Sequence, residues 1–146
     1  MAHKMKTFSE YREDSSFDVT TLNLSSEFNK LNKLLFNNEV EKIPMSFANL
    51  SRKLGQTQII NLTGIEKPVE LKMSNSFTSL KSFINVLAHE MIHILVAQRN
   101  LKHFLDTKET LPKEKHHGKS FNAEMRRINR MNNGIAIKPH YKGEDR

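Results

Sequence analysis

His89-Glu90-Met91-Ile92-His93 sets two imidazoles four residues apart with a carboxylate beside the first. On a helix, residues at that spacing share one face with Cβ atoms about 6 Å apart, so both rings can ligate a single ion. Glu90 is then turned partly around the helix, where its carboxylate reaches a water held by the metal rather than the metal itself. Zinc lowers the pKa of such a water to about 7, and the glutamate can take its proton as it attacks a carbonyl carbon. The pattern therefore points to metal-assisted hydrolysis, with His89 and His93 as ligands and Glu90 as the base. The competing reading is a hydrogen-bonded pair of core histidines, which would bury two imidazoles and a carboxylate at a cost with no metal to offset it.

The helix that must carry these residues is marked by Leu80, Ile84, Leu87, Met91, Ile94 and Leu95 at helical spacing, which predicts a helix over about 79–100. An earlier helix is expected where Leu24, Phe28, Leu31 and Leu35 form one apolar stripe, capped by Ser25 or Ser26 and closed by Asn37-Asn38. Three short strands should follow. The first covers 43–50, with Pro44 at an edge or entry point; the second covers 58–62, with Ile60 and Leu62 on one face. In the third, Val69, Leu71 and Met73 alternate with Glu70 and Lys72, the pattern of a strand with one buried and one wet face. Short links favour an antiparallel meander with helices on one face. Downstream, 101–119 is lysine-rich with Pro112 and His116-His117-Gly118, and reads as loop. A last helix should start near Ser120, bury Phe121, Met125 and Ile128, and stop at Asn132-Asn133-Gly134, with 135–137 extended and 138–146 a disordered basic tail.

A chain of 146 residues fits one domain with a sizeable core. With no cysteine, disulfides are excluded, and a zinc site must be built from histidine and carboxylate. Residues 1–18 are polar, with no apolar run suited to a signal peptide, and no stretch reads as long enough to cross a bilayer, so a soluble, cytoplasmic protein is expected. The net charge of +7 attracts polyanions, and nucleic acid is the commonest in a cell.

A catalytic zinc keeps three protein ligands and an open position. A histidine six residues beyond His93 would complete the compact metzincin set, but Arg99 stands there. His117, followed by a glycine that permits a tight turn into the next helix, is the preferred third ligand; His116 and Glu124 remain as alternatives. His3, His103 and His140 read as surface histidines. Lys113, Lys115, Lys119, Arg126, Arg127 and Arg130 lie close in sequence to His117 and read either as a phosphate-binding rim or as a solvated helix face. Tyr141 or Arg126 is a candidate to stabilise an oxyanion.

Taken together, 89–93, His117-Gly118-Lys119-Ser120-Phe121 and Met125-Arg126-Arg127-Ile128-Asn129 resemble the SprT-like domain of bacterial SprT proteins and Spartan-type proteases. Leu31-Asn32-Lys33-Leu34-Leu35-Phe36 is similar to that domain's first helix, and 46–56, with Ser51-Arg52-Lys53-Leu54-Gly55, to its following strand and turn. The resemblance implies a zinc peptidase with one Zn2+ per chain held by His89, His93 and His117, Glu90 as the catalytic glutamate, and protein substrates that include DNA-crosslinked proteins. The family's cysteine-rich zinc ribbon is missing, and such a minimal core suits a phage or mobile-element protein acting in the host cytoplasm. The expected architecture is a single compact α+β, zincin-like domain over 22–137: one helix, a three-stranded, mostly antiparallel sheet, the H-E-x-x-H helix and a C-terminal helix. It lies between a polar lead-in, 1–21, and the tail, 138–146. Two other functions remain open: a zinc-stabilised nucleic-acid-binding or phage assembly protein without proteolysis, and a protease dedicated to one protein target independently of DNA.

Overall fold

The computed structural model describes residues 17–146; Phe8, Tyr11 and His3 lie outside the described residues. Val19–Thr21 forms a 3-10 turn capped by Asp18, and Val19 enters the core. Helix α1 spans Leu24–Phe36. Its cap is Asn23 rather than either serine: the Asn23 side chain accepts from the Ser26 backbone N–H at 3.0 Å. Asn37 and Asn38 end it in left-handed conformations, φ 52° and 62°.

Strands β1 (Met45–Ala48), β2 (Gly55–Leu62) and β3 (Ile65–Ser74) make a sheet in the order β1-β3-β2. Strands β2 and β3 are an antiparallel hairpin closed by Thr63 and Gly64, both at positive φ, a geometry that suits the right-handed twist of the strands. The expected meander is wrong at β1, which runs parallel to β3, with Met45 opposite Leu71 and Ala48 opposite Ser74. Six residues, 49–54, carry the chain past one strand position, a gap of about 10 Å that β3 then fills. Burial explains the choice: Leu71 and Met73 of β3 are fully buried, whereas Leu62 at the end of β2 is 57% exposed, contrary to its expected place on an inner face. A bulge at Gln58/Ile59 breaks the alternation of β2 opposite Pro68, which has no N–H to give to a ladder.

Helix α2 spans Leu80–Thr107, capped by Ser79, which accepts from the Ser82 N–H at 3.1 Å. It extends one and a half to two turns past the expected end, since Leu101 and Phe104 continue the helical spacing and no proline intervenes before Pro112. By length and composition α2 could cross a membrane, contrary to the expectation that no stretch would. Its apolar window is 72% buried inside the fold, between the sheet and the other elements, so its hydrophobicity is already spent on the core.

Helix α3 covers Lys119–Asn129 and buries Phe121 and Ile128. Its first turn is held by Glu114, whose carboxylate accepts from the Ser120 N–H at 2.8 Å and from the Ser120 hydroxyl at 2.6 Å. Residues 130–146 return along the domain as an ordered segment. Ile135 and Ile137 are buried, though not as a strand, and Asn129 clamps Ile137 through both its N–H (2.7 Å) and its C=O (3.0 Å). The tail expected to be disordered instead forms a 3-10 turn at Gly143–Asp145, and Arg146 bonds Ser76 and Thr78. Among the described residues, the whole is an α+β domain of three helices and a three-stranded mixed sheet.

Candidate metal centre

Three elements meet over the middle of α2. His89 and His93, one turn apart and each 5% exposed, project from that helix, and His117 approaches from the residue before Gly118, the α3 cap. One ring nitrogen from each lies within 4.8 Å of the others. Gly118 is required by crowding, since a Cβ there would sit 2.8 Å from the Lys115 carbonyl oxygen. Phe121, one turn into α3, is the common floor: its ring centroid lies 4.9, 4.6 and 4.7 Å from those of His89, His93 and His117. An apolar floor fixes the rings without offering them a hydrogen-bond partner.

The nitrogens confirm that the donor set suits a cation. His89 Nδ1 lies 2.9 Å from the Lys138 carbonyl oxygen, an acceptor, so Nδ1 carries the proton and Nε2 presents its lone pair. His93 Nε2 and His117 Nε2 are buried and have no protein partner. Unpaired buried nitrogens of this kind are costly unless something ligates them. Burial, first, and the neighbouring imidazoles push the histidines toward the neutral form a metal needs: His89 and His117 to about 4, His93 to about 2. Zinc and other borderline divalent ions take such a set of three imidazoles and leave a position open.

Glu90, 6% exposed, has its carboxylate 3.7 Å from His89 Nε2. Desolvation raises its pKa to about 7, against the Thr57 hydroxyl, which donates to Oε1 at 2.9 Å and favours the ionised form. Gly55 of β2 lies under the same side chain: a Cβ there would fall 2.8 Å from Glu90 Cγ and 3.0 Å from Val86 Cγ1. Thus β2 both orients the carboxylate and leaves room for it. These atoms border a cleft of about 320 Å³ that also meets Lys53, His116, His140 and Tyr141.

The alternatives for the third ligand fall elsewhere. Glu124 is bound to Arg99 (2.7 Å) and Arg127 (2.6 Å), and Arg99 also grips Glu39, so this carboxylate ties α3 to α2 and to the link after α1. His116 stacks on His93 at 4.2 Å, beside the cluster rather than within it. His140, expected on the surface away from the site, packs edge-on to His117 at 4.7 Å. Of the basic residues, Arg127 is committed internally, to Glu124 and to the Leu35 carbonyl at 2.8 Å, which removes it from any phosphate rim. Lys113, Lys115, Lys119, Arg126 and Arg130 are exposed, with Glu114 among them. Sequence reasoning missed Thr57, Gly55 and the Lys138 carbonyl. The glycine alone carried a signal; a backbone carbonyl carries none.

A search of curated proteins returns no match to this chain. The family model of the SprT-like family matches residues 24–140, which include α1, the sheet, all three histidines and the start of the returning segment. A match over most of the sequence, on a fold and a histidine cluster of this kind, establishes that the chain belongs to the SprT-like family.

Proposed function

We propose that the protein is a zinc-dependent peptidase that hydrolyses peptide bonds in protein substrates. The observation that carries this reading is the convergence of three histidine nitrogens within 4.8 Å, two of them buried without a partner, next to a buried glutamate. His89, His93 and His117 hold the ion; zinc bound there supplies Lewis acidity, polarising a carbonyl and making a water acidic enough to ionise near neutrality. Glu90 takes a proton from the attacking water and delivers it to the leaving amine nitrogen. Thr57 and the space left by Gly55 hold that carboxylate toward the histidines. Tyr141 stands on the opposite wall of the cleft. Its oxygen accepts the Lys138 N–H at 2.9 Å, which leaves its own proton free to donate to an oxyanion, and burial keeps its pKa up at about 12, so it remains protonated.

The test is elemental analysis and proteolysis with paired variants. Wild type should carry one zinc per chain and cleave an unfolded protein substrate. Glu90→Gln should keep the zinc and lose the cleavage, and His117→Ala should lose the zinc. Cleavage by Glu90→Gln, or undiminished zinc in His117→Ala, would overturn the assignment.

A further inference from the structure

A second, larger cavity of about 760 Å³ opens beside the metal centre, between the β2–β3 hairpin, the C-terminal half of α2 and the segment 110–116. Its walls include Ile59, Ile65, Val96, Phe104, Leu111 and Pro112. Two features connect it to the catalytic cleft. His93 and the His116 ring stacked on it border both spaces, so the cavity begins at a metal-site histidine. Strand β2 is the sheet's edge and borders both as well, with Gly55 and Thr57 at the cleft and Ile59 and Asn61 at the cavity. At about 3.3 Å per residue, the four steps from Thr57 to Asn61 cover roughly 13 Å, so an extended chain crossing the cleft reaches the cavity within a few residues.

We propose that this cavity seats a short apolar segment of the substrate polypeptide flanking the bond to be cut; the proposal rests on the peptidase reading above. The volume exceeds that of any one side chain and falls within the usual range for ligand pockets, about 300–1,000 Å³, so it takes two or three residues rather than one. Leu111 on its wall is 44% exposed, apolar surface that remains in water until a ligand covers it. Glu66, Glu114, Lys113 and Lys115 also border the cavity. With both signs present, charge does not select the ligand, and the apolar lining does. Apolar segments are buried in folded proteins and exposed in unfolded ones, so the selected class is unfolded or locally unfolded protein.

Binding and cleavage are read separately. Fluorescein-labelled decapeptides with a central Leu-Phe-Leu or Ser-Asn-Ser are titrated by anisotropy against zinc-loaded Glu90→Gln, alone and combined with Leu111→Asp or Val96→Trp. Leu111 is exposed, so its change leaves the core intact. The apolar peptide should bind about 10-fold or more tighter than the polar one, and Leu111→Asp and Val96→Trp should each remove most of that preference while leaving the polar peptide unaffected. Equal binding of the two peptides, or a preference unchanged in both variants, would overturn the proposal. If the preference is present and lost as described but wild type cuts neither peptide nor an unfolded protein, the apolar site stands and the peptidase reading falls.

Discussion

Removing residues 138–146 should weaken zinc binding without touching a single ligand. The Lys138 carbonyl is the acceptor that holds the His89 proton on Nδ1, at 2.9 Å. Without it, His89 is free to adopt the other tautomer or to rotate, and its Nε2 lone pair is no longer held toward His93 and His117. Loss of such a partner behind a metal-bound histidine costs about 10- to 100-fold in affinity. That is about 1.4–2.7 kcal/mol, the range expected when a buried N–H loses its acceptor. The truncation retains Ile135 and Ile137, the apolar anchors of the segment. Asn129→Ala provides a subtler version, because it leaves the tail covalently intact but releases both backbone groups of Ile137, next to Lys138. Its loss of affinity should be smaller. Zinc dissociation constants come from competition with a chromophoric chelator, with melting of the metal-free proteins as the control for folding. Long-range 15N–1H NMR should report the Nδ1–H tautomer for His89 in the wild type. An affinity within twofold of wild type in a truncated protein that still melts cooperatively, or an Nε2–H tautomer in the intact one, would refute the reasoning.

Gly55→Ala should reduce turnover by about 100-fold with zinc content unchanged, because the new methyl group displaces Glu90 Cγ from a 2.8 Å contact while no ligand is involved; steady-state kinetics beside metal analysis checks both. Metal-free protein should lose stability on acidification. His89 and His93 have folded pKa values below their unfolded ones, so stability present above about 6.5 is lost as pH falls, whereas Glu90, raised to about 7, gains stability over the same interval. Between about pH 7 and pH 5 the two histidines cost about 4 kcal/mol and Glu90 returns about half, a net fall of about 2 kcal/mol. Melts across that range should show the fall, and Glu90→Gln, which removes the offset, should steepen it; an equal slope in the variant would show that Glu90 does not titrate there. Asn32→Ala should lower stability by about 2–4 kcal/mol in urea titrations and leave zinc affinity alone, since it orphans the buried N–H and C=O of Val40, bonded at 3.0 and 2.9 Å.

Local signals were strong wherever one segment settles its own geometry. The spacing of His89 and His93 inside an apolar helical run fixed both their element and their shared face, and His117-Gly118 marked the start of the last helix because the close approach to Lys115 admits only a glycine. The left-handed Asn37-Asn38 stop and the Phe121–Ile128 stripe were legible for the same reason. What the sequence could not decide were the relations between segments. The parallel pairing of β1 with β3 depends on which strand occupies the buried centre, a comparison among all three. The order of the tail depends on Asn129, one turn of chain and a loop away, and on Ser76 and Thr78 at the far side of the sheet. His89 takes its tautomer from a backbone carbonyl 49 residues later, and Glu90 its orientation from a threonine on β2. Residue types and spacing thus named the ligands and the base by themselves; the partners that hold them in working geometry are backbone groups and small side chains with no chemical signature, and only the folded chain brings them together.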